Sequence, residues 1–470
     1  MNTLAVRNPR TGVIDYSFPL PDSQMLVHQC TLLRHHQTSW EQVGLVGRIK
    51  VLQQWKDVLQ HNRAEVLQAL VTDTGRLSES TLEFDALIRG IERWCRQAPD
   101  LLKVEERRKS ILPFIELGNE YVPYQLVGVI SPWNFPLLLS TIDVIPALLA
   151  GCAVIVKPSE VTPRFVEPLN RTIASVPLLH DVLAFVVGAG ETGSALIEQV
   201  DLICFTGSVS TGQRVAETAA RHFIPAFLEL GGKDPAIVLE SADLEHATSA
   251  ILWGSVANCG QSCQSIERIY VAESIFAPFV DLLVGKAQRL QLSYPDIESG
   301  QIGPIIAERQ ASIIAAQLHD AIAKGALIAC GGTVKELGGG LWCRPTVLTA
   351  VNHTMQLMRE ETFGPLMPVM TFSSVEEAIH LANDTIYGLS GAIFAGSIEE
   401  ATAVARQLEA GAISINDASL TAIVYESEKN SFKFSGMGGS RMGSAAMTRF
   451  LRKKALLVNT GATDPWWFSE

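Results

Sequence analysis

Leu126-Val127-Gly128-Val129-Ile130 and Ala153-Val154-Ile155-Val156, followed by the runs Leu183 to Val187, Leu202 to Phe205 and Ala236 to Leu239, decide the fold. Each run is short and apolar, as a strand buried on both faces must be. The intervals between them carry amphipathic helical patterns at Thr162 to Ser175, Glu191 to Val200 and Thr211 to Ala220. Strand and helix in alternation make βαβ units. Right-handed crossovers then lay the strands parallel beneath helices on both faces. Working outward, a second α/β series follows Ile266 to Ala272, with helical patterns near Ala277 to Leu290, Ala307 to Lys324, Val375 to Asn383 and Ile398 to Glu409. Two α/β domains are expected. Arg107 to Pro123 is a short, partly β-like interruption, and Leu456-Leu457-Val458 stands alone near the C-terminus. Two isolated strands so far apart in sequence suggest a separate arm.

At 470 residues the chain is too long for one hydrophobic core. With 47% apolar and 18% charged residues its body is expected to fold rather than stay disordered. A net charge of −12 disfavours nucleic acid and anionic lipid. The short charged clusters Glu105 to Lys109 and Arg449 to Lys454 are read as solvated helix ends or loops. Met1 to Arg7 lacks a basic segment followed by an apolar core, so no secretory signal is expected. Pro136 to Val156 reaches the length of a membrane span, but Asp143, Pro146 and Gly151 interrupt it, which predicts a helix, a turn and a buried strand. The eight cysteines form neither a CxxC pair nor a zinc spacing. The expectation is therefore reduced thiols in a cytoplasmic protein without a metal site. Cys259 and Cys263, four apart, could approach each other as a redox pair, with two unrelated thiols as the simpler reading.

Six short motifs carry chemistry. Gly260-Gln261-Ser262-Cys263 lies between an apolar helical stretch and a strand, where a cysteine can act as a nucleophile if its thiolate is stabilised. Read alone, it is more simply a small buried side chain. Leu228-Glu229-Leu230-Gly231-Gly232-Lys233 puts a carboxylate at a strand end before two glycines, suited to a general base or merely to a solvated turn. Phe205-Thr206-Gly207-Ser208-Val209-Ser210-Thr211-Gly212 leads from a strand through a glycine turn into a helix whose first N–H groups favour a dinucleotide pyrophosphate. It is not the G-x-G-x-x-G fingerprint, and an ordinary strand-to-helix turn fits as well. Lys157-Pro158-Ser159-Glu160 follows a strand. Its two charged side chains can each bind a ribose hydroxyl, and the carboxylate would repel the 2′-phosphate of NADP, which favours NAD. An exposed ion pair is the plain alternative. Ser131-Pro132-Trp133-Asn134-Phe135-Pro136 offers an amide able to donate to an oxyanion, or simply a rigid loop. Glu360-Glu361-Thr362-Phe363-Gly364-Pro365 sets carboxylates and an aromatic ring beside a turn, suited to a ribose contact and a stacking wall.

In this order, PWNFP, KPSE, FTGSVSTG, LELGGK, GQSC and ETFGP resemble the aldehyde dehydrogenase superfamily, from Asn8-Pro9-Arg10-Thr11-Gly12 to the strand near Leu456. The resemblance implies an α/β fold with a Rossmann-like cofactor domain from about 1–104 and 125–231 and a catalytic domain from about 232–442. It also implies a small β oligomerisation arm from 105–124 and 443–470, and hence a homodimer or homotetramer. Carried over by position, it makes Cys263 the nucleophile, Glu229 the water-activating base and Asn134 the oxyanion donor beside the Cys263 backbone N–H. It puts Lys157 and Glu160 at the adenosine ribose, Gly207, Ser208 and Gly212 at the pyrophosphate, and Trp133 near the cofactor. Glu361 and Phe363 fall on the nicotinamide-ribose side. The implied reaction is NAD-dependent oxidation of an aldehyde through a Cys263 thioester, with Glu229 arguing for release of the free acid rather than transfer to coenzyme A.

The segment Phe434-Ser435-Gly436-Met437-Gly438-Gly439-Ser440-Arg441 departs from the family's shorter S-G-x-G-R ending. Semialdehyde-oxidising relatives carry an arginine six residues before the nucleophile, where this chain has Ala257. A hydrophobic aliphatic, aromatic or polyene aldehyde is therefore the expected substrate. A succinic-semialdehyde-type enzyme, its arginine supplied by a loop such as that of Arg441, is one alternative, and a non-catalytic binding member of the family is another. The tail Asp464-Pro465-Trp466-Trp467-Phe468-Ser469-Glu470 is read as packing on a sister subunit, with membrane contact as the rival reading.

Overall fold

The computed structural model describes residues 3–103, 106–112 and 114–461; the aromatic tail lies outside the described residues. Two large sheets dominate it. The first has six strands in the order Gly436–Met437, Ala226–Glu229, Leu202–Thr206, Leu126–Ile130, Ala153–Lys157 and Leu183–Phe185. All neighbours are parallel except Gly436–Met437, which joins the edge antiparallel with Gly436 opposite Glu229. The second has seven, in the order Leu327–Cys330, Thr346–Thr349, Leu366–Phe372, Ile266–Ala272, Asp234–Val238, Ser390–Phe394 and Ala412–Ile415. Only its Leu327–Cys330 edge is antiparallel. The fold is the mixed α/β, Rossmann-like class that alternating strands and helices predict.

The apolar runs are buried because both faces of each sheet are covered, and every residue of Leu126–Ile130, Ala153–Lys157 and Asp234–Val238 is buried. Pro136 to Val156 folds as the helices Pro136–Thr141 and Val144–Ala150 followed by a strand, with Gly151 left-handed at the C-cap. Four helices with no counterpart in the sequence reading, Ser23–Gln42, Gly44–His61, Arg63–Thr74 and Ser78–Leu101, complete the first layer. Asp22 caps the first of them by accepting from the Gln24 N–H at 2.8 Å.

The apolar core falls into two clusters. One runs from Leu26 to Leu230 and takes in Ala446, Met447 and Phe450; the other runs from Ala236 to Ala418. The chain therefore rejoins the first sheet at Gly436, before the expected boundary at 442. It stays with the first core until Phe450, within the segment expected to form the arm. Asp143 anchors this return. Its buried carboxylate accepts from Arg441 Nη2 at 2.9 Å and also pairs with Arg449.

The two runs read as isolated strands find each other. Leu451–Asn459 pairs antiparallel with Ile115–Pro123 along nine residues, from Leu451 opposite Pro123 to Asn459 opposite Ile115, and Arg108–Lys109 forms the third strand. Ile111, Leu112, Phe114 and Leu457 leave their side chains exposed on or beside this small sheet. Among the described residues no helix is long and apolar enough to cross a membrane.

Candidate active site

Parallel strands place their C-terminal ends along one edge, so Ile130, Lys157, Thr206 and Glu229 finish side by side on the first sheet. On the second sheet the strands Asp234–Val238, Ile266–Ala272 and Leu366–Phe372 begin along one edge, and Lys233, Cys263, Glu361 and Phe363 lie just before them. Leu230-Gly231-Gly232 links the two edges directly. The trailing edge of one sheet is thus brought against the leading edge of the other. A cavity of about 1300 Å³ opens at this junction, and its wall includes Asn134, Thr206, Glu229, Cys263, Lys429 and Arg441.

Cys263 sits in a turn between the helix Leu244–Val256, extended by a 3₁₀ turn at Ala257–Gly260, and the strand Ile266–Ala272. Asn258 and Cys259 both take positive φ there, 59° and 56°. Hydrogen bonds hold this backbone. Asn258 Nδ2 donates to the carbonyls of Asn134 at 3.0 Å and Gln261 at 2.8 Å, Gln261 Nε2 donates to Asn258 O and Pro304 O, and Gln261 Oε1 accepts from the Ile306 N–H. Gly232 is needed on the opposite side, since a Cβ there would stand 2.4 Å from the Cys263 carbonyl.

The thiol itself is only partly accessible. Burial, followed by the nearby Glu361 carboxylate, pushes it up to about 12, and Lys429 opposes that rise. Cys259 is fully buried, its Sγ 3.9 Å from the Cys343 carbonyl, and both it and Cys263 are free thiols.

Asn134 is 2% exposed, and its Nδ2 donates to the Gln261 carbonyl at 3.0 Å. An amide nitrogen has two hydrogens, which leaves one for a ligand. Arg76 fixes the Asn134 backbone by donating from Nη2 to its carbonyl at 2.9 Å, and Glu83 accepts from the N–H groups of Leu137 and Leu138 at 3.0 and 3.1 Å. Glu229 Oε2 accepts from the Ser431 hydroxyl at 3.0 Å. These supports come from segments the motifs do not touch. Arg76, Glu83, Asn258 and Ser431 had no signal in the sequence beyond being polar residues in their neighbourhoods.

The remaining motif residues line the sheet edges rather than the cavity wall. Lys157 Nζ donates to Glu160 Oε2 at 3.2 Å, with Lys157 buried and Glu160 partly exposed. Ser208 caps the helix Val209–Arg221 by accepting from the Thr211 N–H. Gly212 packs that helix closely on the chain after the strand, since a Cβ there would meet Leu230 Cδ2 at 2.5 Å. Trp133 and Phe363 meet edge to face with centroids 5.4 Å apart. Glu361 Oε1 accepts from the Gly232 N–H at 3.1 Å, and burial pushes its carboxyl up to about 8. The loop carrying Phe363 is held by Glu267, which accepts from the N–H groups of Thr362 and Phe363 at 2.8 Å each and pairs with Lys233 at 2.7 Å. A glycine turn opening a helix, on the same sheet edge as a Lys that ends and a Glu that follows the strand Ala153–Lys157, has the donor and acceptor set for a dinucleotide. Among the described residues no cluster of His, Cys, Asp and Glu could hold a metal ion.

Arg441 stands on the cavity wall with its Nη2 shared between Asp143 and the Thr206 hydroxyl at 2.8 Å, and because Asp143 also pairs with Arg449 that carboxylate offsets the Arg441 charge only in part.

Comparison with known proteins gives a consistent picture. A family model described as the aldehyde dehydrogenase family matches residues 1–456. A 4,4'-diapolycopene aldehyde oxidase from Methylomonas sp is 37% identical over 422 residues, covering 89% of this chain and 78% of its own. A protein named "putative succinate-semialdehyde dehydrogenase, NADP(+)" from Mycolicibacterium smegmatis is 36% identical, covering 82% and 75%. Among solved structures, a protein named "putative aldehyde dehydrogenase PutA" from Anabaena variabilis superimposes with a TM-score of 0.98 at 63% identity over 100% of both chains. A betaine aldehyde dehydrogenase from Staphylococcus aureus in complex with NAD+ gives 0.92 at 31% identity, over 100% of this chain and 94% of that one.

Proposed function

The chain belongs to the aldehyde dehydrogenase family, and we propose that it oxidises a hydrophobic aldehyde to the carboxylic acid with NAD, using Cys263, Glu229 and Asn134. The observation that carries this reading is the single cavity wall shared by those three side chains. Cys263 Sγ, once ionised, attacks the aldehyde carbon. The second N–H of Asn134 Nδ2 and the Cys263 backbone N–H receive the oxyanion. NAD, when bound along the first sheet's trailing edge, supplies the hydride acceptor. Glu229, held by Ser431, takes a proton from the water that hydrolyses the thioester. A carboxylate in that place favours hydrolysis over transfer to coenzyme A. Lys157 and Glu160 would hold the adenosine ribose, Gly207, Ser208 and Gly212 the pyrophosphate turn, and Trp133, Glu361 and Phe363 the nicotinamide side.

The apolar substrate class is supported by the cavity wall, where Leu82, Leu138, Leu139, Ile142, Ile145 and Leu252 contribute. A further point supports it: Ala257 stands where semialdehyde-oxidising relatives carry an arginine. The resemblance to a succinate-semialdehyde dehydrogenase named with NADP supports the other reading. A panel of decanal, benzaldehyde and succinic semialdehyde, each with NAD and NADP, decides between them. Higher kcat/KM for decanal or benzaldehyde with NAD is expected, and preference for the semialdehyde would overturn the apolar assignment. The same panel tests a non-catalytic role, which predicts cofactor binding without reduction. We further propose that the chain assembles as a homodimer or homotetramer through the small sheet of Leu451–Asn459 and Ile115–Pro123, whose exposed apolar side chains need cover.

A further inference from the structure

Of the several cations on the cavity wall, Lys429 is the one that acts on both Glu229 and Cys263 without a carboxylate partner of its own among the described residues. Lys429 lies on the same wall as Cys263 and Glu229. Its Nζ donates to the Thr421 carbonyl at 2.9 Å, and no carboxylate of the described residues comes within the 4.0 Å of an ion pair. Two hydrogen-bonded links hold its segment to the reacting groups. Thr421 Oγ1 donates to Gln264 Oε1 at 2.9 Å, next to Cys263, and Ser431, two residues beyond Lys429, donates to Glu229. The other titratable groups near the thiol are Asp234, held by Ser390, and Glu361, held by the Gly232 N–H, both pushed up by burial. Arg441 also faces the cavity and acts on Glu229 and Cys263, but it is held back by Asp143, which it shares with Arg449.

We infer that Lys429 is the resident counter-ion of the site, a fixed ammonium that neutralises whichever of Glu229 and Cys263 carries the negative charge. The inference rests on the reading of Cys263 as nucleophile and Glu229 as base. Before the reaction the three groups are an ammonium, a carboxylate and a neutral thiol. A proton leaves Cys263 Sγ and arrives on a Glu229 carboxylate oxygen; no electron pair changes partner beyond the S–H bond broken and the O–H bond made. The charge moves from oxygen to sulfur while Lys429 stays protonated, so the sum over the three is zero before and after. Creating a thiolate therefore adds no net charge to a poorly hydrated wall. Burial and the carboxylates of Glu361, Asp234 and Glu229 raise the thiol, whereas Lys429 alone lowers it among the groups that act most strongly on it. Reciprocally, Glu229 and the thiol favour the charged form of Lys429 against its own burial.

The test is the pH dependence of Cys263 alkylation by iodoacetamide, a neutral probe, in the full-length chain without substrate, with the modified cysteine identified by mass spectrometry. K429Q keeps a donor for the Thr421 carbonyl and removes the charge; K429R restores the charge. At each pH of the profile the alkylation rate of Cys263 is expected to fall about tenfold or more in K429Q and to return toward the wild-type value in K429R. K429M serves as a second neutral variant should K429Q fold poorly. Superimposable profiles for the wild-type and neutral variants would overturn the inference, including the outcome in which only KM for carboxylate-bearing aldehydes rises, which would make Lys429 a substrate anchor. Alkylation of Cys263 that leaves aldehyde-dependent NADH production intact would instead sink the nucleophile assignment, independently of Lys429.

Discussion

At the residue scale, burial and the Glu361 carboxyl hold the Cys263 thiol up while Lys429 opposes them. If Cys263 is the nucleophile, C263S should abolish NADH production while C259S keeps it, because Cys259 Sγ is directed at the Cys343 carbonyl inside the second core. A C263S variant with near wild-type turnover would remove the thioester from the mechanism. N134A should lower kcat by about 10²–10³-fold, the usual cost of one oxyanion donor, with a smaller change in KM. Glu229 offers a sharper test, since it is asked to act twice, on the Cys263 proton before attack and on water after the acyl group is on sulfur. E229Q incubated at length with aldehyde and NAD should build up an acyl adduct on Cys263 slowly and then fail to release it, as the intact mass would show, whereas lost turnover without any adduct would confine Glu229 to ionising the thiol. Cys263, Glu229 and Asn134 were legible in the sequence as candidates because each sits beside a strand pattern in a short motif. Lys429 and Arg76 were not, because neither has a local pattern: Arg76 holds the Asn134 carbonyl, and Lys429 shares a cavity wall with Cys263 and Glu229, all far away in the chain.

At the element scale, the junction depends on strand ends being held at fixed heights. The helix Val209–Arg221 lies so close to Leu230 that G212V should push it away, lowering the melting temperature and weakening NAD binding; isothermal titration and a thermal melt measure the two effects. Unchanged NAD affinity would show that this helix start is not the pyrophosphate site. The buried pair Lys233 and Glu267 performs a similar task on the second sheet, since Glu267 also holds the Thr362 and Phe363 N–H groups. K233M leaves a carboxylate buried without its cation, a change that costs about 3–5 kcal/mol. Glu160 is expected to set cofactor choice, so E160Q should raise kcat/KM with NADP relative to NAD. An unaltered ratio would detach that choice from the 2′-phosphate argument.

At the scale of the whole molecule, two parallel sheets meet edge to edge, and a chain return through Gly436 to Phe450 ties them together before it leaves as the strand Leu451–Asn459. Ending the chain after Phe450 should keep the first core, which includes that residue, but leave a monomer if the proposed oligomer forms through this strand, as light scattering after gel filtration would show. An unchanged mass would move the interface elsewhere. The sequence by itself determined the strand and helix alternation, the α/β class, and the motif residues at strand ends. Burial on two faces, helix caps and glycine turns are imposed by neighbours along the chain and leave a periodic trace there. Only the tertiary structure decided which isolated strands pair, that Arg441 and Arg449 share Asp143, and that Lys429 shares a wall with Cys263 and Glu229. Those facts depend on how charges from distant segments are brought together when the two sheets pack, and no local spacing encodes a distance across that junction.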